Sequence, residues 1–336
     1  MKKRIKNRLL IFISLIVISC SEDETNSNVP VQPDIYIAGK TKYTPTVWRD
    51  GSATYLTDGT YNAEATSITV VNNDEVYVTG FETKDIIKKA TLWKNGNAID
   101  LSTTPFTSIA NAVAVVNDDV YVAGYEYEST KNTFVAKVWK NGIPTSISNG
   151  NHDAYATSIA VDNDDVYVTG HEYINYTDVA TLWINGVPTR LTDGENPSKA
   201  YSVVIENNDV YVAGYEFYNG NFHAKLWKNG VMSSFTDETK PSIAYSVAVE
   251  NNTVYIAGYE DTAAMLWING EAHPLSGGHV LGNQANSVAL NKNDVYVVGH
   301  TYDDDGLRNA KLWKNGEPSN VTDNTDGSYA LSIDLH

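Results

Sequence analysis

The chain has 336 residues and a formal charge of −17, from 24 Lys and Arg against 41 Asp and Glu. So acidic a chain is poorly suited to a phosphate backbone, which needs clustered cations, and no nucleic acid is expected as a partner. A single Cys excludes an intrachain disulfide framework and any CxxC zinc site.

Residues 1–19 read as a signal segment. Lys2, Lys3, Arg4, Lys6 and Arg8 form a basic start, and Leu9 to Ser19 is an apolar run. That run is too short for a membrane span, which needs about 20 residues, and suits a signal-peptide core. It ends Val17-Ile18-Ser19-Cys20, which resembles the lipobox of bacterial lipoproteins. The resemblance implies cleavage before Cys20 and a diacylglycerol on its sulfur. The competing reading is an ordinary signal peptide with an incidental Cys. Ser21-Glu22-Asp23-Glu24 resembles the surface-export signal of lipoproteins in the Bacteroidota, against a plain solvated acidic linker. Residues 20–33 then form a lipidated, flexible tether, polar and without periodicity. Removing residues 1–19 takes away five cations and no acid, so the displayed chain carries −22.

From residue 34 onward the sequence repeats. Trp recurs at 48, 93, 139, 183, 227, 267 and 313. In step with it runs the Gly that ends a strand like Asp-Val-Tyr-Val-Ala-Gly, at 39, 80, 124, 170, 214, 258 and 299. A third ladder follows each Trp: Asp50-Gly51, then Asn-Gly at 95, 141, 185, 229, 269 and 315. Internal repeats of this length mark solenoids or propellers.

Each unit reads as four strands. In the fourth unit these are Ser158 to Val161, Val166 to Gly170, Ala180 to Trp183 and Val187 to Leu191. Asn185-Gly186 supplies the two positive-φ residues of a type I′ hairpin between the last two. The first strand carries small residues (Ala156, Ser158, Ala200, Ser202, Ala244, Ser246) and is placed innermost, where the units converge. The Trp and Tyr ladders are placed between units, since an aromatic ring buries about 150–250 Å².

The mature region opens on a second strand, Asp34 to Gly39, and closes on a first-strand pattern, Ala330 to Leu335. The last strand is therefore expected to complete the first unit and close a ring, which removes an open sheet edge. The length prior of about 150 residues per domain suggests two domains; ring closure makes 34–336 one. The pattern is similar to the seven-bladed β-propeller repeats of bacterial extracellular and lipid-anchored proteins. That resemblance implies an all-β fold of seven four-stranded blades and says little of function.

On this strand order the second-to-third-strand loops, at 81–90, 125–135, 171–179, 215–223, 259–263 and 300–309, share one rim with the fourth-to-first connections. Variable loops on a rigid ring are where function concentrates. The candidate ligand rim is Glu82, Tyr125, Glu126, His171, Glu172, Tyr215, Glu216, Tyr259, Glu260 and His300. Five Glu in one register would form an acidic ring around the channel, holding a cation or cationic group, if they point inward. The alternative is blade-local ion pairs, with Lys137, Lys225 and Lys311 on third strands each facing a neighbouring second strand. Of these only Lys137 and Lys225 share a blade with such a Glu (Glu126 and Glu216). The register breaks at Thr41 and Thr301, beside Lys40 and His300, which would mark an entry side.

Asp303-Asp304-Asp305-Gly306 resembles a Ca²⁺ loop but lacks its alternation and terminal Glu. No HxH or HExxH spacing, nucleophile elbow or Asp box is present, so no cofactor beyond Ca²⁺ is suggested and no catalytic residue stands out. The expectation is a monomeric, surface-anchored, non-catalytic binding protein in the outer membrane, taking a glycan or a protein. The rivals are a propeller enzyme acting on polysaccharide, as a glycoside hydrolase or lyase, and a structural part of an outer-membrane complex.

Overall fold

The repeat folds as 28 strands in seven four-stranded antiparallel sheets, with no helix among the described residues. The computed structural model describes residues 32–336 except 73–74, 280 and 323–326. The signal segment, Cys20 and most of the tether lie outside the described residues. Pro33–His336 forms one compact unit.

Blade four shows the plan: Ala154–Asp162, Asp165–Ile174, Thr177–Ile184 and Val187–Arg190, hydrogen-bonded in that order. The turn residues dictate the hairpins. Asn185 (φ 50°) and Gly186 (φ 78°) both take the left-handed conformation that a two-residue hairpin needs. The Asn185 side chain then fastens the blade, accepting from Val166 N at 2.9 Å and donating to Asp165 Oδ1 at 2.7 Å. Where Lys follows Trp, it clasps the same hairpin end. Lys140 lies 2.7 Å from Asp119 and 4.9 Å above the Tyr121 ring, and Lys228 repeats this with Asp209 and Tyr211.

The first strands touch one another around a closed circle and line the central channel. Closure is as expected: Ser328–Leu335 pairs with Ile35–Thr41, with Ile333 opposite Ile37. Each Trp is buried to within 1% exposure and packs against the preceding blade. Trp48, for instance, packs on Tyr296, Val298 and Ala310 of blade seven. At about 25 cal/mol per Å², a ring of this size contributes roughly 4–6 kcal/mol of transfer free energy. The hydrogen bonds that cross between blades are worth about 1 kcal/mol each. Burial therefore holds the blades together, and the polar contacts set their register.

The ladder glycine does not end its strand. Gly170 sits in the middle of Asp165–Ile174, opposite a bulge between Ala156 and Ser158. There the backbones meet so closely that a Cβ on Gly170 would stand 1.9 Å from the Tyr155 carbonyl oxygen. All seven ladder glycines show this approach, at 1.8–2.1 Å. The second strand thus continues four residues past Gly170. What reads as a loop at 171–179 is mostly two paired strands, joined by Asn175-Tyr176.

Gly170→Ala is expected to cost more than about 2 kcal/mol, because backbone has to move. Gly96→Ala, at a turn with nothing within 4 Å of the new Cβ, pays only the φ strain of about 1 kcal/mol. Urea denaturation of the two variants checks this, and equal losses would contradict the close-approach argument.

Candidate functional site

Each bulge turns one residue toward the channel. The motif Ala-x-Ser (Ala-x-Ala in blade three) holds small residues against the neighbours and leaves x free to vary. In chain order x is Thr66, Asn111, Thr157, Tyr201, Tyr245, Asn286 and Leu331. All seven, with Gln284, line a central cavity of about 370 Å³. Four of them reach the next blade: Thr66 to Ala110 O, Asn111 to Ala156 O, Thr157 to Ala200 O and Asn286 to Ala330 O, at 2.6–2.8 Å. The motif serine works in the same direction. Ser158 Oγ accepts from Val203 N at 3.4 Å, and Ser332 Oγ accepts from Ile68 N at 3.3 Å across the closure.

Tyr201, Tyr245 and Leu331 have no such bridge. Tyr201 stands 5.5 Å from Tyr245 and 5.9 Å from Tyr215, and Tyr245 stands 6.0 Å from Tyr259. Blades five and six thereby give the mouth an aromatic wall. Burial, with neighbouring acidic and phenolic groups added, raises Tyr201 far above the usual phenol value and Tyr215 to about 12. These phenols are protonated donors at neutral pH.

Beside the channel, between blades three, four and five, lies a cleft of about 530 Å³. Asn111 and Thr157 border both spaces, so the cleft and channel share one mouth. Its apolar side is Tyr125 and Tyr155, edge to face at 4.9 Å, with His171 stacked on Tyr155 at 4.9 Å and 21°. Its polar side is Asp153, Asp178 and Lys199, where Asp178 and Lys199 pair across blades at 3.2 Å. His171 is buried, its Nε2 stands 3.8 Å from Asp178 and its Nδ1 has no hydrogen-bond partner. Burial, assisted by Lys199, pushes its pKa down to about 3, so the ring is neutral at physiological pH.

The structure divides the sequence-predicted rim. Tyr125 and His171 meet in the cleft, Tyr215 and Tyr259 back the tyrosine wall, and His300 packs against Tyr302 and Tyr329. The glutamates alternate with them on the same strands, and a strand turns successive residues to opposite faces. Among the described residues no Glu lines the channel cavity, so the acidic ring does not form.

Glu126 is fully buried. It pairs with Lys137 at 2.7 Å and accepts from Thr103 N, Thr103 Oγ1 and Thr104 N, tying down the loop that leads into its own blade. Glu216 accepts from Asn196 of the corresponding loop at 3.4 Å, and Glu82 borders the loop at Leu56 to Tyr61. Burial raises the carboxyls of Glu172 and Glu260. Lys225 does not pair with Glu216. Its partners are Glu238, in the connection that leads to the next blade, at 2.6 Å and Ser234 of the outer strand at 2.7 Å.

In the Asp303-Asp304-Asp305 loop the Asp303 carboxylate accepts from Asp305 N, Leu307 N and Asn309 Nδ2. Among the described residues no three His, Cys, Asp or Glu side chains converge as metal ligands.

Sequence reading missed Tyr155, Asp178, Lys199 and the x residues. Only the last had a signal: x is the one freely varying slot in an otherwise fixed motif.

No family model and no curated protein matches the chain. Among solved structures it is similar to a puromycin hydrolase mutant complexed with PGG, at 10% identity and a TM-score of 0.58. The match covers 87% of this chain and 54% of that one, so the chain spans about half of that hydrolase's length. At that identity the likeness shows the fold alone.

The histidine environment fixes a pH response. His171 binds its proton at about 3 when folded, against 6.5 for an ordinary His, so on acidification the unfolded chain takes up the proton first. Stability from the neutral ring is complete above about pH 6.5 and is lost as pH falls toward 3. His300 behaves alike, with a folded value of about 4. His171→Gln should flatten the pH dependence of the urea midpoint in this window; a slope equal to wild type would contradict the buried neutral ring.

Proposed function

We propose that the chain is a surface-displayed, lipid-anchored binding protein that seats a glycan at the mouth of its propeller channel and does not turn it over. The observation that carries this reading is the cleft between blades three, four and five. It offers tyrosine rings, the half-buried Tyr125 and Tyr155 and the exposed Tyr173, beside a compact set of donors and acceptors. Sugars present the matching chemistry: C–H faces for stacking and hydroxyls for hydrogen bonds. The seven-fold repeat is broken here, as expected where one ligand rather than the ring itself is being served. The lipidated Cys20 and tether hold the propeller to the outer membrane and facing outward. Two or more acyl chains anchor stably where one does not.

A second reading has one observation in its favour. Asp153 and Asp178 line the same cleft and break the repeat symmetry, as a catalytic carboxylate pair of a glycoside hydrolase would. The likeness to a puromycin hydrolase, at 10% identity, supports neither reading.

A glycan array probed with the full chain, followed by a turnover assay on each hit, tests both. Binding without product is expected, and Tyr155→Ala should weaken it about tenfold or more. Product formation would replace the lead reading with the second. For the anchor, metabolic labelling with a fatty acid should mark the wild type and not Cys20→Ser; equal labelling would remove the lipid from the account.

A further inference from the structure

The opposite side of the mouth, where blades seven, one and two meet, differs in charge. The position after the ladder glycine is Lys40 in blade one and His300 in blade seven. Lys40 is only 8% exposed, its Nζ 2.5 Å from Asn62 Oδ1 and 3.9 Å from Glu64 Oε2. The Tyr329 hydroxyl donates to the same Glu64 oxygen at 2.5 Å. Arg308 lies 5.0 Å over the Tyr329 ring, with its Nε donating to the Tyr302 hydroxyl at 2.8 Å. Lys88 stands 4.3 Å over Phe81, which faces Glu64 across the strand pair.

Most cations at the far hairpin ends are matched one to one with a carboxylate, as in Lys94 with Glu75, Lys140 with Asp119, Lys228 with Asp209 and Lys314 with Asp294. Lys88 and Arg308 have no carboxylate within 4 Å among the described residues. The group therefore holds three cations against one carboxylate, in a chain of charge −17. Lys88 and Arg308 both press on Lys40, adding to its desolvation in lowering its pKa. A repulsion of this kind is relieved by an anion, and charge-assisted bonds from Arg and Lys are among the stronger polar contacts. His300 adds a buried ring beside Tyr329, its Nδ1 without a partner.

We propose that Lys40, Lys88 and Arg308 form an anion subsite for a carboxylate or sulfate group carried by an acidic oligosaccharide. This rests on the glycan reading of the cleft. The channel mouth is continuous between the two regions. Its lining runs from Asn111 and Thr157, which border the cleft, to Thr66, Gln284 and Leu331. Those three residues belong to the same first strands as Glu64 or Tyr329, or pair with His300.

The test measures binding of three oligosaccharides of matched length, neutral, uronate-bearing and sulfated, to the full chain and to a Lys88→Gln/Arg308→Gln variant. Both substituted side chains reach the surface, so the fold should be kept, as an unchanged melting temperature would verify. The wild type should prefer one or both acidic ligands by about tenfold or more, and the variant should lose that preference while keeping its affinity for the neutral one. The uronate and sulfate arms tell which anion is taken. Equal affinity for neutral and acidic ligands, or an acidic preference that survives in the variant, would overturn the subsite and leave the glycan reading standing. Binding of none of the three would overturn both.

Discussion

Everything in this ring follows from one close approach. The backbone of each second strand presses so tightly on the bulged first strand that only glycine fits between them. The fit at Gly170 leaves no room for a methyl group before the Tyr155 carbonyl. The bulge that relieves this contact turns a single residue inward. The glycine also leaves space for the third-strand Trp: a Cβ on Gly80 would stand 3.1 Å from Trp93 Cζ3. Core packing, blade register and channel lining are consequences of one local geometry repeated seven times.

The repeat is used differently around the circle. Where x is Thr or Asn, it stitches its blade to the next. Where x is Tyr, in blades five and six, the stitch is given up and an aromatic wall replaces it. On one side of that wall, blades three to five contribute Tyr125, Tyr155, His171, Asp178 and Lys199 to a cleft. Farther round, blades seven, one and two bring together cations that elsewhere are spent on hairpin ends. The acidity of the chain is thus no guide to the charge at its mouth. Much of it is written into structural positions, such as Asp119 beneath Lys140 and Glu126 beside Lys137.

The scaffold was largely legible in the sequence because its signals are local or strictly periodic. Asn185-Gly186 declares its turn, the Trp ladder declares the blade interval, and Ala330 to Leu335 declares the missing first strand. The site was less legible because it depends on register across strands. Tyr125 and Glu126 are neighbours in sequence and opposites in space. Grouping by chain position offers an acidic ring beside blade-local ion pairs, whereas Glu126 and Glu216 turn away from the channel and hold incoming loops. Gly170 reads as a strand end yet lies inside its strand, because glycine there marks close approach as readily as an end. The Asp178–Lys199 pair joins residues of two blades, and no pattern in the chain announces it.

The central claim is that ligand binding belongs to the bulge ring and the rim above it, and not to the Asn-Gly hairpin face. Hydrogen–deuterium exchange of the full chain, with and without a saturating oligosaccharide, reads this directly. Protection is expected around Asn111, Thr157 and Tyr201 and along 171–179. Protection concentrated at the hairpins around Asn141, Asn185 and Asn229, with the bulge strands unchanged, would contradict it.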